Sequence, residues 1–567
     1  MKVIIVGGVA GGASAAARLR RLCEDAQIVV FERSGYVSYA NCGLPYYVGG
    51  TIKDREELTL QTPESFKRRF DVDVRVRCEV QRIDPARKTV AVRDLSSGAE
   101  YEESYDKLIL SPGAKPVRPG IPGIQSDRVF TLRTVEDTLK LRTFVERTAP
   151  RRALVVGGGF IGLEMAENLV EAGAQVTVVE GMNQVMAPLD YDMACEVHAY
   201  LKSRGVSLVL GETVQGFEDR EDGIMARTSG GKALSADLCV LAIGVAPDTA
   251  LAKDAGLALG VRGAIVVDER MRTSVPDIYA VGDAVQVQNS VSGEAALISL
   301  AGPANRQGRI AADDICGIAR RYPGSQGSSV IKLFDMTVAA TGLNEKAARA
   351  AGIPFDKVLT FSASHATYYP GANNMTVKTL YDPATGSILG AQIVGFDGVD
   401  KRIDVLATAI RARMAAQDLA ELDLAYAPPY SSAKDPVNMA GFVIENVRSE
   451  LVRQFHWHDV AGLPRDGSVT LLDVRTPAEY ARGHIDGAIN IPLDSLRQRM
   501  SELPAQKPVY VNCHSGLRSY IACRLLSQKG FECYNLSGGY RFYERVTSDP
   551  AFDAEAAYPC GIKIGQK

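Results

Sequence analysis

The sequence lacks the features that assign many chains to a structural class at once. Its ten cysteines are scattered through 567 residues without a CxxC pair, which argues against a disulfide framework and against a zinc site. No uninterrupted apolar stretch is long enough to span a membrane. A net charge of −3 gives no reason to expect a nucleic-acid partner. Hydrophobic and charged fractions of 46% and 23% are ordinary for a globular protein, so we expect a soluble, cytoplasmic protein without a metal centre.

The N-terminal residues MKVIIVGGVAGGASAAA superficially resemble a signal peptide, because a lysine precedes an apolar run and then small residues. However, glycines break the run at the spacing of a phosphate-binding turn, and RLRR follows, which favours a helix. We therefore interpret this segment as part of a folded domain.

A pattern of strand, glycine-rich turn, helix and strand occurs twice in the chain. It is written as KVIIVGG, ASAAARLRRLC and QIVVFER over residues 2–33, and as RALVVGGG, FIGLEMAENLVEAG and AQVTVVE over residues 152–180. Two such units, the second inserted into the first, are typical of flavin reductases that bind two nucleotides. We therefore predict an α/β protein with two Rossmann-type nucleotide-binding domains.

At 567 residues the chain is longer than a single hydrophobic core usually supports, so we expect further domains. Strands and helices alternate less regularly from about 325 to 445, as in an α+β interface domain, and the sequence becomes charged and irregular near 446–466. The predicted boundaries are 1–150 with 240–325 for the first nucleotide-binding domain, 151–239 for the second, 326–446 for a dimerisation domain, 447–466 for a linker, and 467–567 for a separate α/β domain.

The first glycine turn predicts an FAD site. Glycines in a GxGxxG turn let a pyrophosphate approach a helix N-terminus, and here valine replaces the middle glycine. Glu32 ends the second strand twenty residues after Gly12, where a carboxylate can accept a bond from a ribose hydroxyl. The alternatives are a purely structural turn and, for the aspartate of AVGDAV, a helix cap. The candidate FAD contacts are Gly7, Gly8, Gly12, Glu32, Arg33, Ser111, Gly113, Gly282 and Asp283.

The second glycine turn is an intact GxGxxG, formed by Gly157, Gly159 and Gly162, and Glu180 ends the following strand. A carboxylate at that position can bond a 2′-hydroxyl but would repel a 2′-phosphate. No arginine follows in EGMNQVM, so the sequence predicts NADH rather than NADPH. A purely structural turn is the alternative.

Several segments carry a specific resemblance. NCGLPYYVGG, the two glycine turns, AVGDA, and AYAPPYSSAKDPVNMAG at 425–441 resemble the coenzyme A disulfide reductases, a single-cysteine branch of the flavin disulfide reductases. LLDVRTPAEYARGHIDGAINIPL and VYVNCHSGLRSYIACRLLSQKGFECYNLSGGY resemble a rhodanese domain. Nearly the whole chain is thus similar to a fused coenzyme A disulfide reductase–rhodanese, and is closest to the NADH-dependent persulfide reductase group.

The resemblance implies how the lone Cys42 is resolved. Flavin disulfide reductases usually pair two cysteines, but Cys23 and Cys78 lie too far away to be that partner. In the single-cysteine branch, the substrate's thiol forms the mixed disulfide with the cysteine. A position beside the flavin and near a helix N-terminus should depress the pKa of the thiol. The alternative is a buried, inert cysteine.

A coenzyme A site is expected on the first helix. Ser14, Arg18 and Arg21 are spaced i, i+4, i+7 and share one face, and arginines suit nucleotide phosphates, although a solvated basic face is the alternative. The resemblance adds Ser38 and Asn41 to this site. It further implies a homodimer in which Tyr368 and Tyr426 hydrogen-bond sulfur at the partner's site, and it gives Lys434 as a further coenzyme A ligand. The choice of Tyr368 over Tyr369 rests on spacing, and the alternative is that both tyrosines are core residues without a function.

The rhodanese-like segment carries its chemistry in CHSGLRS. A short loop from Cys513 through Gly516 to Arg518 can point successive N–H groups at an anionic persulfide, and arginine can add charge-assisted bonds. A tyrosine phosphatase uses a similar but larger loop, and a rhodanese fold without activity is the alternative. The residues expected to be scaffold or incidental are Asp473, Arg475, Glu479, His484, Cys523, Cys533 and Cys560.

Together these features predict an FAD enzyme that uses NADH to reduce sulfane sulfur carried on coenzyme A, releasing hydrogen sulfide. Cys42 would attack a coenzyme A persulfide or disulfide, and Cys513 would relay sulfur from a donor such as polysulfide. One alternative is an NADH oxidase or peroxidase that cycles a cysteine sulfenic acid. The other is a sulfur-carrier or redox-sensing protein.

Overall fold

The computed structural model describes residues 1–553. These residues belong to two units: unit 1 contains 1–181 and 205–327, and unit 2 contains 182–204 and the chain from 328 onward. No helix within the described part of the chain has both the length and the apolar character needed to cross a membrane.

The first glycine turn of unit 1 lies on a five-stranded parallel sheet. Its strands are rich in β-branched residues and almost wholly buried, as expected of a parallel sheet covered on both faces. The strand order across the sheet is Ile278–Ala280, Lys107–Leu110, Lys2–Val6, Gln27–Glu32 and Asp73–Val76.

The second glycine turn lies on another five-stranded parallel sheet, in the order Val129–Phe130, Leu238–Leu241, Arg152–Val156, Gln175–Glu180 and Ser207–Leu210. The strand Val129–Phe130 pairs with Leu238–Leu241. This nucleotide-binding domain therefore includes a strand that precedes its predicted start at residue 151.

Smaller sheets and helices complete unit 1. Its remaining strands are Val37–Tyr39 with Thr59–Gln61, Cys78–Asp84 with Thr89–Asp94 and Glu100–Ser104, Ala114–Pro116 with Val245–Pro247, Val214–Arg220 with Gly223–Thr228 and Ala233–Ala236, and Ile265–Val266 with Val285–Gln288 and Ala295–Ala296. Its α-helices are Ala10–Leu22, Leu44–Gly49, Pro63–Phe70, Val135–Thr148, Phe160–Glu171, Ala250–Asp254 and Ala301–Ile315.

Unit 2 begins with an antiparallel sheet, as the α+β prediction expects. Its strand order is Ser329–Leu333, Met336–Gly342, Ile388–Gly395, Asn374–Tyr381 and Asp356–Ala363. The helices of this region are Tyr191–Ser203, Glu345–Ala350, Val399–Ala412, Ala416–Glu421 and Pro436–Arg448. The first of these lies within the predicted second nucleotide-binding domain but belongs to unit 2.

A second, parallel sheet forms the C-terminal part of unit 2, in the order Arg453–Phe455, Cys533–Leu536, Val509–Asn512, Thr470–Asp473 and Ile489–Asn490. Its helices are Pro477–Arg482, Leu493–Arg499, Leu517–Ser527 and Gly539–Thr547.

The predicted linker at 447–466 is wrong in its central part. The strand Arg453–Phe455 is an edge strand of the C-terminal sheet and pairs with Cys533–Leu536. Trp457, in the 3-10 helix that follows, is 3% exposed. The composition of this segment does not indicate a strand. The strand forms because it pairs with a partner about 80 residues further along the chain.

Candidate active sites

Both glycine turns require glycine for steric reasons. Gly7 has φ +97° and Gly157 has φ +113°, and a Cβ at either position would overlap the carbonyl of a neighbouring strand. A Cβ at Gly12 or Gly162 would likewise overlap the carbonyl of the first glycine in the same turn. The turns can therefore close only with glycine at these four positions.

The carboxylates that end the second strands are anchored to the turns. A carboxylate oxygen of Glu32 accepts the N–H of Gly8 at 2.8 Å, and one of Glu180 accepts the N–H of Gly158 at 2.7 Å. The same contact at both turns places a carboxylate beside each helix N-terminus. A Cβ at the middle glycine, Gly159, would meet nothing within 4 Å, so space for a ligand lies above this turn.

The geometry of both turns fits a dinucleotide. The helices Ala10–Leu22 and Phe160–Glu171 begin directly after the turns, and their free N–H groups suit a pyrophosphate. The carboxylates suit ribose hydroxyls.

Other predicted FAD contacts lie near the first turn, with one partner that the sequence did not reveal. Asp283 forms an ion pair with Arg133, at 2.8 Å between Nη2 and Oδ2, and lies inside the 3-10 helix Gly282–Ala284. The Ser111 hydroxyl lies 3.0 Å from where a Cβ of Gly11 would be, and Gly113 and Gly282 both have positive φ. 

Arg33 lies at the edge of this region. Its side chain is half exposed and pairs with Asp248 at 3.0 Å. The structure therefore gives Arg33 a surface ion pair, which predicts at most a peripheral part in binding.

Cys42 lies in the short 3-10 helix Asn41–Gly43, which leads directly into the helix Leu44–Gly49. Its side chain is exposed. Surrounding protein atoms and the carboxylate of Glu164 nevertheless raise the pKa of the thiol, against a smaller lowering by Arg133. The expected depression of this pKa is therefore wrong for the polypeptide alone, because desolvation and the carboxylates of Glu164 and Asp283 outweigh the lowering by Arg133.

A cavity of about 360 Å³ lies on the face of the first helix where the coenzyme A site is expected. Four predicted polar residues line it, together with three that sequence reasoning missed. The polar lining residues are Ser14, Arg18, Arg21, Ser38, Gln61, Asn305 and Arg309.

The polar groups of this cavity are not equally available to a ligand. Arg18 forms an ion pair with the buried Asp313, at 2.7 Å between Nε and Oδ1, whereas Arg21 and Arg309 line the cavity from two different helices. The Ser14 hydroxyl donates to the side-chain oxygen of Asn305 at 2.8 Å. We infer that Arg21 and Arg309 supply most of the positive charge of this cavity.

Ser38, which also lines this cavity, has a strained backbone conformation. It has φ +47°, in the left-handed region that serine rarely adopts, and its N–H donates to the carbonyl of Gly8 at 2.8 Å. Strained residues of this kind concentrate at ligand sites. Asn41 begins the 3-10 helix that carries Cys42.

Unit 2 brings the two predicted tyrosines together. The hydroxyls of Tyr368 and Tyr426 are 2.7 Å apart although the residues are 58 positions apart in sequence. Both rings are exposed, by 75% and 47%. Tyr369 instead packs edge-on against His365, so the residue that shares this contact is Tyr368. Lys434 is exposed, just before the helix Pro436–Arg448.

The loop around Cys513 is folded as an anion-binding cradle. Cys513 is 1% exposed, and its Sγ accepts the N–H of Gly516 at 3.1 Å and the hydroxyl of Ser519 at 3.2 Å. Gly516 has φ +104°, which turns its N–H inward. These donors suit a thiolate or persulfide on Cys513.

Arg518 does not donate to Cys513 in this structure. Its guanidinium makes a two-point ion pair with Glu479, at 2.6 and 2.8 Å, and this pair holds the pKa of Glu479 below its usual range. Glu479, expected to be scaffold, is therefore the residue that positions Arg518.

The other residues expected to be structural are also integrated into the fold. Asp473 and Arg475 form a buried ion pair at 2.6 Å, and the His484 ring stacks on Tyr480 at 3.8 Å. Cys523 and Cys533 are buried, and Cys560 lies outside the described residues.

Three models of known families match successive parts of the chain. Residues 1–308 match the pyridine nucleotide-disulphide oxidoreductase family, and residues 328–436 match the dimerisation domain of that family. Residues 457–545 match the rhodanese-like domain.

Relatives of known name cover most of the chain. The coenzyme A disulfide reductase of Staphylococcus haemolyticus is 36% identical over 442 residues, which are 78% of this chain and 98% of that protein. The crystal structure of reduced CoADR-RHD from Bacillus anthracis is 49% identical, with a TM-score of 0.94 over 96% of this chain and 98% of that one. An NAD-dependent persulfide reductase from A. fulgidus is 39% identical, with a TM-score of 0.89 over 96% and 100% of the two chains. The chain therefore belongs to the pyridine nucleotide-disulphide oxidoreductase family and carries a C-terminal rhodanese-like domain.

Proposed function

We propose that this protein reduces coenzyme A disulfide or coenzyme A persulfide at Cys42 with electrons from NADH, and that its rhodanese domain loads sulfane sulfur on Cys513. The cavity lined by arginines carries the proposal. It includes Ser38, four residues before Cys42, and it presents Arg21 and Arg309, whose guanidinium groups suit the phosphates of coenzyme A.

The overall reaction balances for either substrate. NADH, a proton and coenzyme A disulfide give NAD⁺ and two molecules of coenzyme A. NADH, a proton and coenzyme A persulfide give NAD⁺, coenzyme A and hydrogen sulfide. FAD, held at the first glycine turn, would supply the redox chemistry that links the nicotinamide to Cys42.

The chain's own residues bind and orient the substrate. Arg21 and Arg309 would hold the nucleotide end of coenzyme A in the cavity, and the thiol of Cys42 would attack a sulfur atom of the bound disulfide or persulfide. Attack leaves Cys42 either in a disulfide with coenzyme A or as a persulfide, according to which sulfur is attacked, and the other sulfur departs as a thiol. Neither product requires a second protein cysteine.

We further propose that the protein acts as a homodimer. The matched dimerisation domain supports this assembly, and the exposed Tyr368–Tyr426 pair would stabilise sulfur at the partner's site by hydrogen bonding.

The decisive experiment is anaerobic NADH oxidation by the FAD-loaded protein with four acceptors in parallel: coenzyme A disulfide, coenzyme A persulfide, polysulfide and hydrogen peroxide. We expect the coenzyme A substrates to be reduced fastest, and NADPH to be at least about tenfold less efficient, because an unpaired like-charge contact with Glu180 costs about 1–3 kcal/mol. Cys42→Ser serves as the blank.

Preference for hydrogen peroxide over both coenzyme A substrates would overturn the proposal in favour of a peroxidase. Reduction of the flavin without turnover of any acceptor would instead indicate a redox sensor or sulfur carrier.

A further inference from the structure

Two loops of unit 2 carry the exposed tyrosine pair. Residues 364–373, with Tyr368, form the first loop, and residues 422–435, with Tyr426, form the second loop. Neither loop contains a helix or a strand, so regular secondary structure does not fix the positions of the two tyrosines.

A buried arginine reaches both loops. Arg402 lies on the helix Val399–Ala412 and is 1% exposed. Its Nη2 donates to the carbonyl of Ser364 in the first loop at 2.9 Å and to the carbonyl of Tyr430 in the second loop at 3.2 Å. The same nitrogen donates to the hydroxyl of Ser431 at 3.1 Å. One guanidinium group therefore ties the first loop to the second.

Asp435 holds this guanidinium in place. Its carboxylate lies 3.0 Å from Nη2 of Arg402 and accepts the hydroxyl of Ser431 at 2.6 Å. It also accepts the N–H of Val437 at 3.0 Å, as the N-cap of the helix Pro436–Arg448. Asp435 is 2% exposed, so both charges of the pair are buried and satisfied. The end of the second loop is thereby fixed to a helix.

The surroundings of Arg402 fit an arginine specifically. A Cβ at Gly398 would lie 2.1 Å from Nη1 of Arg402, so glycine leaves the space that the guanidinium occupies. The Nη1 atom donates to the carbonyl of Gly398 at 3.1 Å. The N–H of Ala366 donates to the carbonyl of Ser431 at 3.0 Å, which joins the two loops directly beside the Arg402 contacts.

The separation of the loops decides whether the tyrosines meet. The hydroxyls of Tyr368 and Tyr426 are 2.7 Å apart, although both rings are exposed. Exposed rings are held only weakly by packing, so the backbone contacts of the two loops set the distance between the hydroxyls.

We propose that Arg402 is the positioning residue of the tyrosine pair: its guanidinium holds the two loops at the separation at which the hydroxyls of Tyr368 and Tyr426 meet. The inference rests on the proposed function, in which this pair donates to sulfur at the partner's site. Arg402 is buried, so it acts only through the loops.

The charge-conserving variant Arg402→Lys tests the proposal. Lysine keeps the positive charge that pairs with Asp435, but its single nitrogen lacks the planar fork that reaches two carbonyls at once. In anaerobic turnover of the FAD-loaded protein with NADH and coenzyme A disulfide, kcat should fall by about tenfold or more, because small displacements of positioned groups cost that much. Reduction of the flavin by NADH alone should keep its wild-type rate.

A double-mutant cycle separates positioning from a general structural effect. When Tyr368→Phe and Tyr426→Phe are already present, Arg402→Lys should lower kcat by less than about twofold further, because the groups through which Arg402 acts are gone. Equal losses with and without the tyrosines, or no loss when the tyrosines are present, would overturn the proposal.

Two further variants complete the design. Arg411→Lys makes the same change at an exposed position of the same helix and should leave kcat unchanged. Ser431→Ala removes one acceptor of Arg402 and leaves both charges, so it should cause a smaller loss that disappears in the tyrosine double variant. If Arg402→Lys did not fold, Ser431→Ala would decide: no loss, or a loss that persists without the tyrosines, would overturn the proposal.

Crystal structures provide a readout that does not depend on turnover. Measured against the wild-type protein, the hydroxyls of Tyr368 and Tyr426 in Arg402→Lys should lie beyond hydrogen-bond distance, at more than about 3.5 Å. Arg411→Lys should keep their contact. An unchanged contact in Arg402→Lys would overturn the proposal.

This readout also separates the inference from the proposed function. If the wild-type enzyme reduced neither coenzyme A substrate, the proposed function would fail. The distance between the two hydroxyls would still decide whether Arg402 positions the pair.

Discussion

Tyr368 and Tyr426 are both exposed, and their hydroxyl groups share a hydrogen bond. Tyr368 and Tyr426 present both hydroxyl groups to the outside of unit 2, and the hydrogen bond with Tyr368 raises the pKa of Tyr426. Tyr426 therefore stays protonated at neutral pH and can donate to a sulfur anion.

The double variant Tyr368→Phe with Tyr426→Phe should slow coenzyme A disulfide or persulfide reduction by about tenfold or more, since removal of charge-stabilising donors typically costs that much. NADH should still bleach the flavin at the wild-type rate, as stopped-flow absorbance would show. Tyr430→Phe is the matched control, because Tyr430 is 72% exposed in the same segment as Tyr426. Unchanged turnover in the double variant would remove the assignment.

At the residue scale, local contacts were predictable and distant ones were not. At each nucleotide site, the glycines and the carboxylate belong to one turn and to the next strand in sequence. Their spacing in the sequence is therefore enough to identify them. Arg133, which pairs with Asp283 from 150 positions away, and Arg309, which faces the first helix, carry no local signal. The direction of the Cys42 pKa also depended on Glu164, more than a hundred residues away.

At the scale of elements, a buried ion cluster explains why the helix Tyr191–Ser203 belongs to unit 2. Lys378 is fully buried on the antiparallel sheet, and its Nζ lies 3.0 Å from Asp190, 2.7 Å from Asp192 and 2.6 Å from Glu345. The single tryptophan, Trp457, also donates to Asp192 at 3.2 Å. Lys378 thus links the sheet to the helix Tyr191–Ser203 through Asp190 and Asp192, and to Glu345. Trp457 joins the 3-10 helix of the rhodanese region to the same cluster through Asp192.

Lys378→Met should lower the free energy of unfolding of unit 2 by about 3–5 kcal/mol, because it leaves buried carboxylates without their ammonium partner. Urea titration followed by Trp457 fluorescence measures this directly, since the indole contacts the cluster. Lys401→Met is the control: Lys401 is partly exposed and lies 3.9 Å from Asp435, so its loss should cost at most about 1 kcal/mol. Equal midpoints for the two variants would contradict the role given to the cluster.

The elements that sequence reasoning placed wrongly share one cause. The strand Arg453–Phe455 is three residues long and pairs with a strand near residue 534, and the helix Tyr191–Ser203 is fixed by Lys378. Both depend on long-range partners, whereas the two parallel sheets around the glycine turns follow from buried apolar runs that the sequence displays.

At the scale of the whole molecule, the two cysteines that we propose to react with sulfur substrates lie in different units. Cys42 lies in unit 1 with the nucleotide-binding turns, and Cys513 lies in unit 2 in its own cradle of donors. Both hydrogen-bond donors to the Sγ of Cys513 come from the loop and helix that follow it, so the cradle does not need Cys42 to form. This arrangement predicts that each cysteine controls a separate step.

Cys42→Ser should abolish NADH-dependent reduction of every sulfur substrate, because no other thiol would link the flavin to the substrate. It should leave sulfur transfer from polysulfide to an added thiol largely intact. Cys513→Ser should do the reverse, with preformed coenzyme A persulfide still reduced and polysulfide no longer used efficiently. Parallel assays of hydrogen sulfide release and of sulfur transfer measure both activities. If Cys513→Ser lost the reduction of preformed coenzyme A persulfide, Cys513 would belong to the reductive site, and the relay between two independent cysteines would be ruled out.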